Sequence, residues 1–283
     1  MRDGAKMAVH DEELGLEAYR LCGFARPFPP HFHDYYSVGV VEAGSRLLLL
    51  RGRRAEIGAG DIVVFNPGDA HSCEQEGPGV LEYRGLNVPV HVLMSAVERL
   101  EGVPRLVSFR NVVRDERVFA AMREFHVLVG AETGAKARRA AFDEAMAALM
   151  LYERDDGEEG MQEGSGEDGS VVERASAYME RRLPDRVVVR DVCEAVGVSE
   201  STLLRAFVRE RGITPYRHLE SMRVVEARRL LEEGFAPAQA AALAGFSDQS
   251  HFTNRFRDYT GLTPAAYASI FKGNDSGGGS CGQ

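Results

Sequence analysis

The chain has 283 residues and lacks several features that mark other classes of protein. It contains no tryptophan, and no apolar run approaches the roughly 20 residues that a membrane-spanning helix needs. Residues 1–13 are polar and charged, without the apolar core of a signal peptide. We therefore expect a cytoplasmic protein that has no membrane partner.

The cysteines are few and widely separated. They are Cys22, Cys73, Cys193 and Cys281, and no two of them form a CxxC pair. Zinc clusters and disulfide frameworks use tight, repeated spacings, which this sequence does not contain. The pattern predicts free thiols rather than metal ligands or crosslinks.

Basic residues are outnumbered, since 34 Lys and Arg against 43 Asp and Glu give a net charge of −9. The excess acid is concentrated in residues 153–170, where eight acidic residues and five glycines accompany one arginine. Residues 171–272 carry 15 basic and 13 acidic residues and are mildly basic. A segment with so few apolar groups cannot bury enough surface to offset the entropy of ordering. We expect residues 153–170 to be a flexible linker and residues 273–283 to be a disordered tail.

Residues 24 to about 90 have the pattern of a β domain. Short apolar and β-branched runs are separated by turn residues such as those at 42–45, 51–53 and 66–69. The predicted strands include Tyr36–Val41, Arg46–Leu50, Ala55–Ile57 and Ile62–Phe65. Strands repeated every eight to twelve residues with such turns are typical of a β-sandwich or barrel.

The period of the apolar residues changes to that of a helix from Asp115 onward. One helical face carries Val118, Phe119, Met122, Phe125, Leu128 and Val129. A second helix is predicted from about Ala137 to Tyr152. Both helices are expected to cover the barrel, and whether one of them also forms a dimer interface is left open at this point.

The last hundred residues contain the same pattern twice, 49 positions apart. The matching pairs are Ala195 and Ala244, Ser201 and Ser250, Phe207 and Phe256, and Gly212 and Gly261. Each copy consists of a short apolar helix, a turn, a second helix and a Gly-x-Thr-Pro stop. This is the layout of a helix-turn-helix, whose second helix enters the major groove of DNA. Two copies on one chain predict a protein that reads two successive groove segments.

In the first copy, residues 188–196 are the predicted positioning helix and residues 200–210 the recognition helix. Ser199 between them is a good N-cap, because its hydroxyl can accept an unpaired backbone N–H. Leu203 and Phe207, four positions apart, are expected to face inward. The outward positions are Ser201, Thr202, Arg205 and Arg209.

In the second copy, residues 237–244 are the predicted positioning helix, Asp248 is the N-cap, and Phe252 and Phe256 face inward. Between the copies, residues 215–233 form one long predicted helix that begins with proline and is followed by glycine. At ~1.5 Å per residue this helix is ~28 Å long. That length is close to the ~34 Å between successive major-groove openings on one face of DNA.

The exposed polar residues of the two recognition helices are the candidates for DNA contact. Arg205 can take guanine O6 and N7 bidentately, and Asn254 and Gln249 can pair with adenine N6 and N7. The predicted base-reading set is Ser201, Thr202, Arg205, Gln249, Ser250, His251 and Asn254. The predicted phosphate contacts, which fix register without reading sequence, are Arg209, Arg255 and Arg257.

The motif residues of this region identify a family resemblance. Residues 171–272 resemble the DNA-binding domain of AraC/XylS-type transcription regulators. The most specific segment is AGFSDQSHFTNRFR at residues 244–257, followed by Gly261-Leu262-Thr263-Pro264 and Tyr267. Two departures affect base preference: Asn254 stands where many members have Arg, and Leu204 stands where many have a polar residue.

The β region resembles a cupin barrel, which AraC-type regulators commonly use to bind a ligand. The resemblance rests on His31-Phe32-His33, Gly60-Asp61 and the segment NPGDAH at residues 66–71. It implies ligand-binding roles for His31, His33, Tyr36 and His71. Three histidines suit Zn or Fe, but metal-binding cupins add a glutamate a few residues after the HxH, where this chain has Ser37 and Val38. We therefore predict no metal site.

The expected fold is two-domain α+β. A cupin-like β-barrel with covering helices occupies residues 1–152, and an all-α domain with two helix-turn-helix units joined by a long linker helix occupies residues 171–272. The resemblance implies a non-enzymatic regulator without a cofactor. Its expected partners are double-stranded DNA, a small-molecule effector, RNA polymerase and a second copy of the chain. Two alternatives remain: a cupin metalloenzyme fused to a DNA-binding module, and a ligand-independent DNA binder whose barrel only dimerises.

Overall fold

A computed structural model describes residues 4–50, 53–75, 79–129, 131, 133–154 and 170–271. The predicted linker at residues 153–170 and the predicted tail at residues 273–283 lie mostly outside these described residues. Within them, the N-terminal half consists mainly of antiparallel strands. The strands are β1 (Ala5–Asp11), β2 (Leu16–Phe24), β3 (Phe28–His31), β4 (Tyr36–Ala43), β5 (Ser45–Leu50), β6 (Arg53–Gly58), β7 (Ile62–Phe65), β8 (His71–Gln75), β9 (Leu81–Val88) and β10 (Val112–Val113).

The strands form two sheets that face each other. One has the order β1-β2-β9-β4-β7-β10, and the other has the order β3-β8-β5-β6. The register of β4 against β9 pairs Ser37 with Asn87 and Gly39 with Gly85. Because successive residues of a strand point to opposite faces, Ser37 lies on the face toward the second sheet. Tyr36, Val38 and Val40 pack on the opposite face.

The described helices fall into two groups, one on the barrel and one in the C-terminal domain. They are α1 (Val90–Glu101), α2 (Glu116–Val129), α3 (Ala135–Met150), α4 (Val171–Arg181), α5 (Val189–Val196), α6 (Glu200–Arg211), α7 (Pro215–Glu232), α8 (Pro237–Leu243), α9 (Gln249–Thr260) and α10 (Pro264–Ser269). Helices α1 to α3 cover the outer face of the larger sheet, and Phe125, Phe142 and Met146 are fully buried there. The prediction that α2 and α3 cover the barrel is confirmed.

The C-terminal domain has two apolar cores, one for each helix-turn-helix. Leu203 and Phe207 of α6 pack with Val172 and Met179 of α4 in the first core. Phe252 and Phe256 of α9 lie in the second core. The inward residues of both recognition helices are therefore those that the i, i+4 spacing predicted.

The linker helix α7 joins these two cores. It contributes Leu219 to the first core, and Val224, Ala227 and Leu231 to the second. Thr214 caps its N-terminus by accepting a hydrogen bond from the backbone N–H of Arg217. Its 18 residues give a length of ~27 Å. A helix buried against both cores fixes the separation of the two units.

Several elements extend beyond the sequence-based expectations. Strand β1 and most of β2 precede residue 24, where the β region was predicted to begin, and helices α1, α4 and α10 were not predicted. The register of β1 against β2 runs from Ala5 opposite Cys22 to Asp11 opposite Leu16. Strand β1 lies at the edge of its sheet and most of its residues are only partly buried, so its sequence lacks a strong apolar alternation. In the part of the chain that the structure describes, no helix is long and apolar enough to cross a membrane.

Candidate functional site

The first recognition helix, α6, is set by the turn and cap that precede it. Gly197 ends α5 in the left-handed region with φ 72°, which glycine adopts without steric cost. Ser199 then caps α6, its hydroxyl accepting a hydrogen bond from the backbone N–H of Thr202 at 3.2 Å. The predicted turn and N-cap are confirmed.

The second recognition helix, α9, begins in the same way. Gly245 has φ 83°, and an added Cβ would lie 2.1 Å from the carbonyl oxygen of Leu183. Asp248 caps α9 by accepting a hydrogen bond from the backbone N–H of His251 at 2.6 Å. Close packing of the turn against residue 183 therefore requires glycine at position 245.

The predicted DNA contacts of α6 form an exposed row. Ser201, Thr202, Arg205 and Arg209 are all exposed. The hydroxyls of Ser201 and Thr202 lie 3.1 Å and 2.9 Å from the Ser199 hydroxyl and so take part in the cap. Arg205 Nε donates to the carbonyl of Ser201 in its own helix at 3.2 Å. Among the described residues its other guanidinium donors have no partner, so they are available on the exposed face of α6.

The predicted contacts of α9 divide into two groups. Gln249, Ser250, Asn254 and Arg257 are exposed. In contrast, the guanidinium of Arg255 lies 2.9 Å (Nε to Oε1) from the buried carboxylate of Glu220 on α7. The His251 ring lies 3.5 Å from the same oxygen. These two side chains therefore contact the linker helix as well as the exposed face of α9.

A cavity of about 90 Å³ lies between the two sheets of the barrel. Apolar and aromatic side chains from both sheets line it. They include Leu21, Phe28, Leu48, Ile57, Val63, Phe65, Leu81 and Tyr83. Four residues of the C-terminal domain complete the wall: Arg228, Tyr259, Thr260 and Tyr267. The cavity is thus shared by the barrel and the helical domain.

His31, His33 and His71 line this cavity together. The ring centroids of His31 and His71 are 4.4 Å apart, and those of His33 and His71 are 5.0 Å apart. Each Nδ1 donates to a backbone carbonyl: His31 to Pro29, His33 to Tyr35 and His71 to Asp69. Because a carbonyl oxygen only accepts, each Nδ1 carries the proton and each Nε2 does not. Burial lowers the pKa of His31 to about 3 and that of His71 to about 4, so both rings are neutral at neutral pH.

The three histidines are not arranged like the ligands of a metal ion. Within the described ranges, no three His, Cys, Asp or Glu side chains are placed to hold a metal ion. Ser37, at the position where metal-binding cupins have an acidic ligand, instead lies 3.2 Å from the hydroxyl of Tyr19. The histidines therefore supply polar ring edges and aromatic surface to the cavity wall.

The fourth predicted ligand-binding residue, Tyr36, does not line the cavity. It is buried in the core beneath the helices, where its hydroxyl donates to the carbonyl of Val107 at 2.6 Å. Its neighbours Tyr35 and Ser37 line the cavity in its place. The correction follows from strand geometry, since a shift of one residue turns a side chain to the opposite face.

The polar end of the cavity lies at the boundary of the two domains. Arg228 Nη2 donates to Glu17 Oε1 at 2.6 Å, and the Tyr267 hydroxyl donates to the same oxygen. Lys6 Nζ donates to the carbonyl of Thr260, in the last turn of α9, at 2.5 Å. The guanidinium of Arg228 also lies 4.0 Å from the ring centroid of Tyr35.

The charges at this end are held in low-dielectric surroundings. Burial alone would raise the pKa of Glu17, but the charge of Arg228 and hydrogen bonds from Tyr267 and Asn87 hold it below its usual value. The ammonium of Lys6 is surrounded by protein although its stem keeps some exposure, and burial lowers its pKa to about 8. Glu17 is therefore ionised and paired with Arg228 at neutral pH.

No motif in the sequence indicated Lys6, Glu17, Arg228 or Tyr259 as site residues. The one local signal is a charged residue in the apolar register of the linker helix, because Arg228 lies four positions after the buried Val224 and three before the buried Leu231. The other three belong to an edge strand, a strand outside the predicted β region, and the inner face of α9. Their meeting depends on the docking of the two domains, which a local pattern does not encode.

Two domain families each match one part of the chain. Residues 13–151 match the AraC-like ligand binding domain, and residues 192–269 match a helix-turn-helix domain. The gap between these matches, residues 152–191, contains the acidic segment. The two halves described above therefore correspond to a ligand-binding barrel and a DNA-binding domain.

Individual relatives span nearly the whole chain. YbfI of Bacillus subtilis (strain 168), described as an uncharacterized HTH-type transcriptional regulator, is 36% identical over 252 residues, covering 89% of this chain and 90% of that protein. The HTH-type transcriptional activator RhaS of Salmonella paratyphi A is 25% identical over 244 residues, covering 81% and 84%.

The fold is shared with ToxT from Vibrio cholerae. Its apo variant structure has a TM-score of 0.55 at 15% identity, covering 93% of this chain and 99% of ToxT. ToxT with an unsaturated fatty acid bound has a TM-score of 0.52 at 16% identity, covering 95% and 98%. The paired family matches and the relatives that span both halves establish that this chain belongs to the AraC/XylS family of DNA-binding transcription regulators.

Proposed function

We propose that the chain is a one-component regulator, acting at DNA in the cytoplasm, whose binding to a specific operator is controlled by a small-molecule effector in the barrel cavity. The single observation that carries this proposal is the shared wall of that cavity. Arg228, Tyr259, Thr260 and Tyr267 belong to the DNA-binding domain and line the same space as the barrel histidines. A ligand there contacts both domains at once.

The mechanism we propose is a population shift between two arrangements of the domains. A ligand shifts such an equilibrium only by its differential affinity for the two arrangements. The cavity of about 90 Å³ is well below the roughly 300 Å³ at which drug-sized ligand pockets begin. An effector larger than this space displaces side chains of the wall, and displacement of those from α7, α9 or α10 would supply the differential affinity.

At the DNA, we propose that Arg205, Asn254 and Gln249 read base edges, with Ser201, Thr202, Ser250 and His251 beside them. Arg209 and Arg257 are exposed and are proposed to hold phosphates, a role that Arg255 can share when it is released from Glu220. The exposed guanidinium and amide groups have the donor and acceptor pattern that bidentate base recognition requires.

We further propose that the regulator acts as a homodimer and that it contacts RNA polymerase. Exposed apolar side chains occur on and beside the helices that cover the barrel, including Leu100, Leu106, Val127 and Leu151. Leu151 is 81% exposed at the end of α3. Exposed large apolar groups of this kind are common at protein–protein interfaces.

The effector hypothesis is tested by a thermal-shift screen of a small-metabolite library, using the wild-type chain and Val63→Phe. Val63 lines the cavity and is 1% exposed, so the larger ring fills the space that an effector would occupy. A compound that raises the melting temperature of the wild type but not of the variant, and that changes operator affinity, supports the proposal. A cavity-dependent ligand that leaves DNA affinity unchanged at saturation would support a barrel used for dimerisation alone.

A further inference from the structure

Glu220 is a buried acid between the linker helix and the second recognition helix. Its side chain is 3% exposed, although it lies in a domain whose function is to bind a polyanion. A buried carboxylate at this position is unfavourable unless it is compensated. The role of Glu220 can therefore be inferred from the groups that compensate its charge.

The compensating groups come from both helices. Arg255 Nε on α9 lies 2.9 Å from Oε1, and Arg217 Nη1 on α7 lies 3.0 Å from Oε2. The Tyr259 hydroxyl donates to Oε2 at 3.3 Å. The carboxylate thus holds one cation from each helix.

Arg255 lies in the sequence next to Asn254, which is exposed on the recognition helix. Its own side chain is 27% exposed, so it reaches the surface of α9 while its charge faces inward. An arginine that is paired with a buried carboxylate at 2.9 Å offers a phosphate little net charge. Its Nη1 also lies 3.7 Å from Asp258 on the same helix, which is too long for a hydrogen bond. Releasing Arg255 therefore chiefly requires breaking the closer ion pair with Glu220.

We propose that Glu220 masks the charge of Arg255 and thereby sets a low, weakly salt-dependent affinity of the second helix-turn-helix for the DNA backbone. The role is that of a positioning residue, because Glu220 acts through Arg255. This inference rests on DNA binding by the chain and is independent of effector control.

The cluster around Glu220 is also in contact with the cavity wall. Tyr259, which donates to Glu220, stacks on His31 with ring centroids 5.0 Å apart. Tyr259 therefore touches the barrel on one side and the masking carboxylate on the other. A change in the position of Tyr259 alters one of the groups that hold Glu220 in place.

The test is a salt titration of binding to a random-sequence 20-bp duplex, using wild type, Glu220→Gln, Arg255→Gln and the double variant. Each phosphate neutralised adds about 0.9 to the slope of log K against log salt. Glu220→Gln is expected to steepen the slope by about 0.9 and to raise affinity about five- to tenfold at 0.1 M salt. Adding Arg255→Gln to it is expected to return the slope to the wild-type value.

Glu226→Gln is the matched control, because it removes the same charge from the same helix. Its partner Arg229 keeps a second carboxylate, Glu233, so no arginine is released. The control slope is expected to equal that of the wild type. Equal steepening in Glu226→Gln and Glu220→Gln would overturn the proposal in favour of a general charge effect.

Arg255→Gln alone tests the proposal without relying on the fold of a Glu220 variant. A masked arginine contributes little, so affinity is expected to change less than twofold and the slope to stay constant. A slope reduced by about one in Arg255→Gln would show that Arg255 already holds a phosphate and would overturn the proposal. Wild-type binding in the same titration is the separate test of DNA binding itself.

Discussion

The guanidinium of Arg228 lies 2.6 Å from the carboxylate of Glu17, although the two residues are 211 positions apart in the sequence. Glu17 belongs to strand β2 of the barrel and Arg228 to the linker helix of the DNA-binding domain. Both side chains are more than nine-tenths buried. This ion pair joins the two domains at the edge of the barrel cavity.

Glu17→Gln is expected to weaken the contact between the domains. Arg228 would then keep only the longer ion pair with Glu232, at 3.5 Å. Removing one partner of a buried ion pair costs up to about 3–5 kcal/mol if the contact stays closed. Hydrogen exchange measured by mass spectrometry is therefore expected to increase at α10 and at the end of α9. Glu82→Gln, a barrel variant whose glutamate pairs with Arg20 of the barrel itself, serves as the control. Unchanged protection in Glu17→Gln would contradict the role of the pair in docking.

The buried histidines predict a loss of stability in mild acid. Burial lowers the pKa of His71 to about 4, whereas the unfolded chain titrates near about 6.5. Between these values the unfolded chain binds a proton that the folded chain does not, so the free energy of unfolding falls as the pH drops from 6.5 to 4.

His71→Gln removes this group. Between pH 6.5 and 4 the free energy of unfolding is therefore expected to fall less in the variant than in the wild type, and the difference between the two falls is on the order of 3 kcal/mol. Urea unfolding followed by circular dichroism at several pH values measures the difference. His91→Gln, at an exposed histidine, is the control and should follow the wild type. Parallel pH profiles for His71→Gln and wild type would argue against a buried neutral imidazole.

Arg209→Ala and Arg257→Ala are each expected to weaken DNA binding almost equally for all sequences. A phosphate contact carries charge without base information, so each loss should reduce the salt slope by about one. The measurement is the affinity for an operator and for a random duplex across a salt series. A change in sequence preference, rather than in salt slope, would reassign these arginines to base reading.

Gly245→Ala and Gly197→Ala are expected to differ in cost although both glycines have positive φ. A Cβ at Gly197 meets open space, whereas one at Gly245 would lie 2.1 Å from the backbone carbonyl of Leu183. We expect Gly197→Ala to cost about 1 kcal/mol from backbone strain alone. Gly245→Ala should cost several times more, as measured by urea unfolding of the two variants. Similar losses would show that the turn at Leu183 relaxes freely.

The DNA-binding half was largely predictable from the sequence because its determinants are local. Caps such as Ser199 and Asp248, and inward pairs such as Leu203 and Phe207, lie within a few residues of the helices that they define. The cavity was only partly predictable. The three histidines came from a motif, but Tyr36 was wrong by one position along a strand, and one position reverses the face.

The polar end of the cavity and the Glu220 cluster could not be predicted from the sequence, because the residues that form them come together only in the folded chain. Glu17 has no nearby partner in the sequence, and its ionised state depends on Arg228 from another domain. Likewise, Glu220 reads as an ordinary polar residue of a helix until α9 packs against it. Such groups become identifiable when the tertiary contacts are known.

The most direct test of the central claim is selection of the full chain on random-sequence duplex DNA, followed by sequencing, for wild type, Arg205→Ala and Asn254→Ala. The account predicts two short boxes about one helical turn apart, with Arg205→Ala relaxing one box and Asn254→Ala relaxing the other. Each relaxed contact should cost about 1–3 kcal/mol of base discrimination. A single box that both variants relax, or no enriched sequence from residues 171–272 alone, would contradict a bipartite DNA reader.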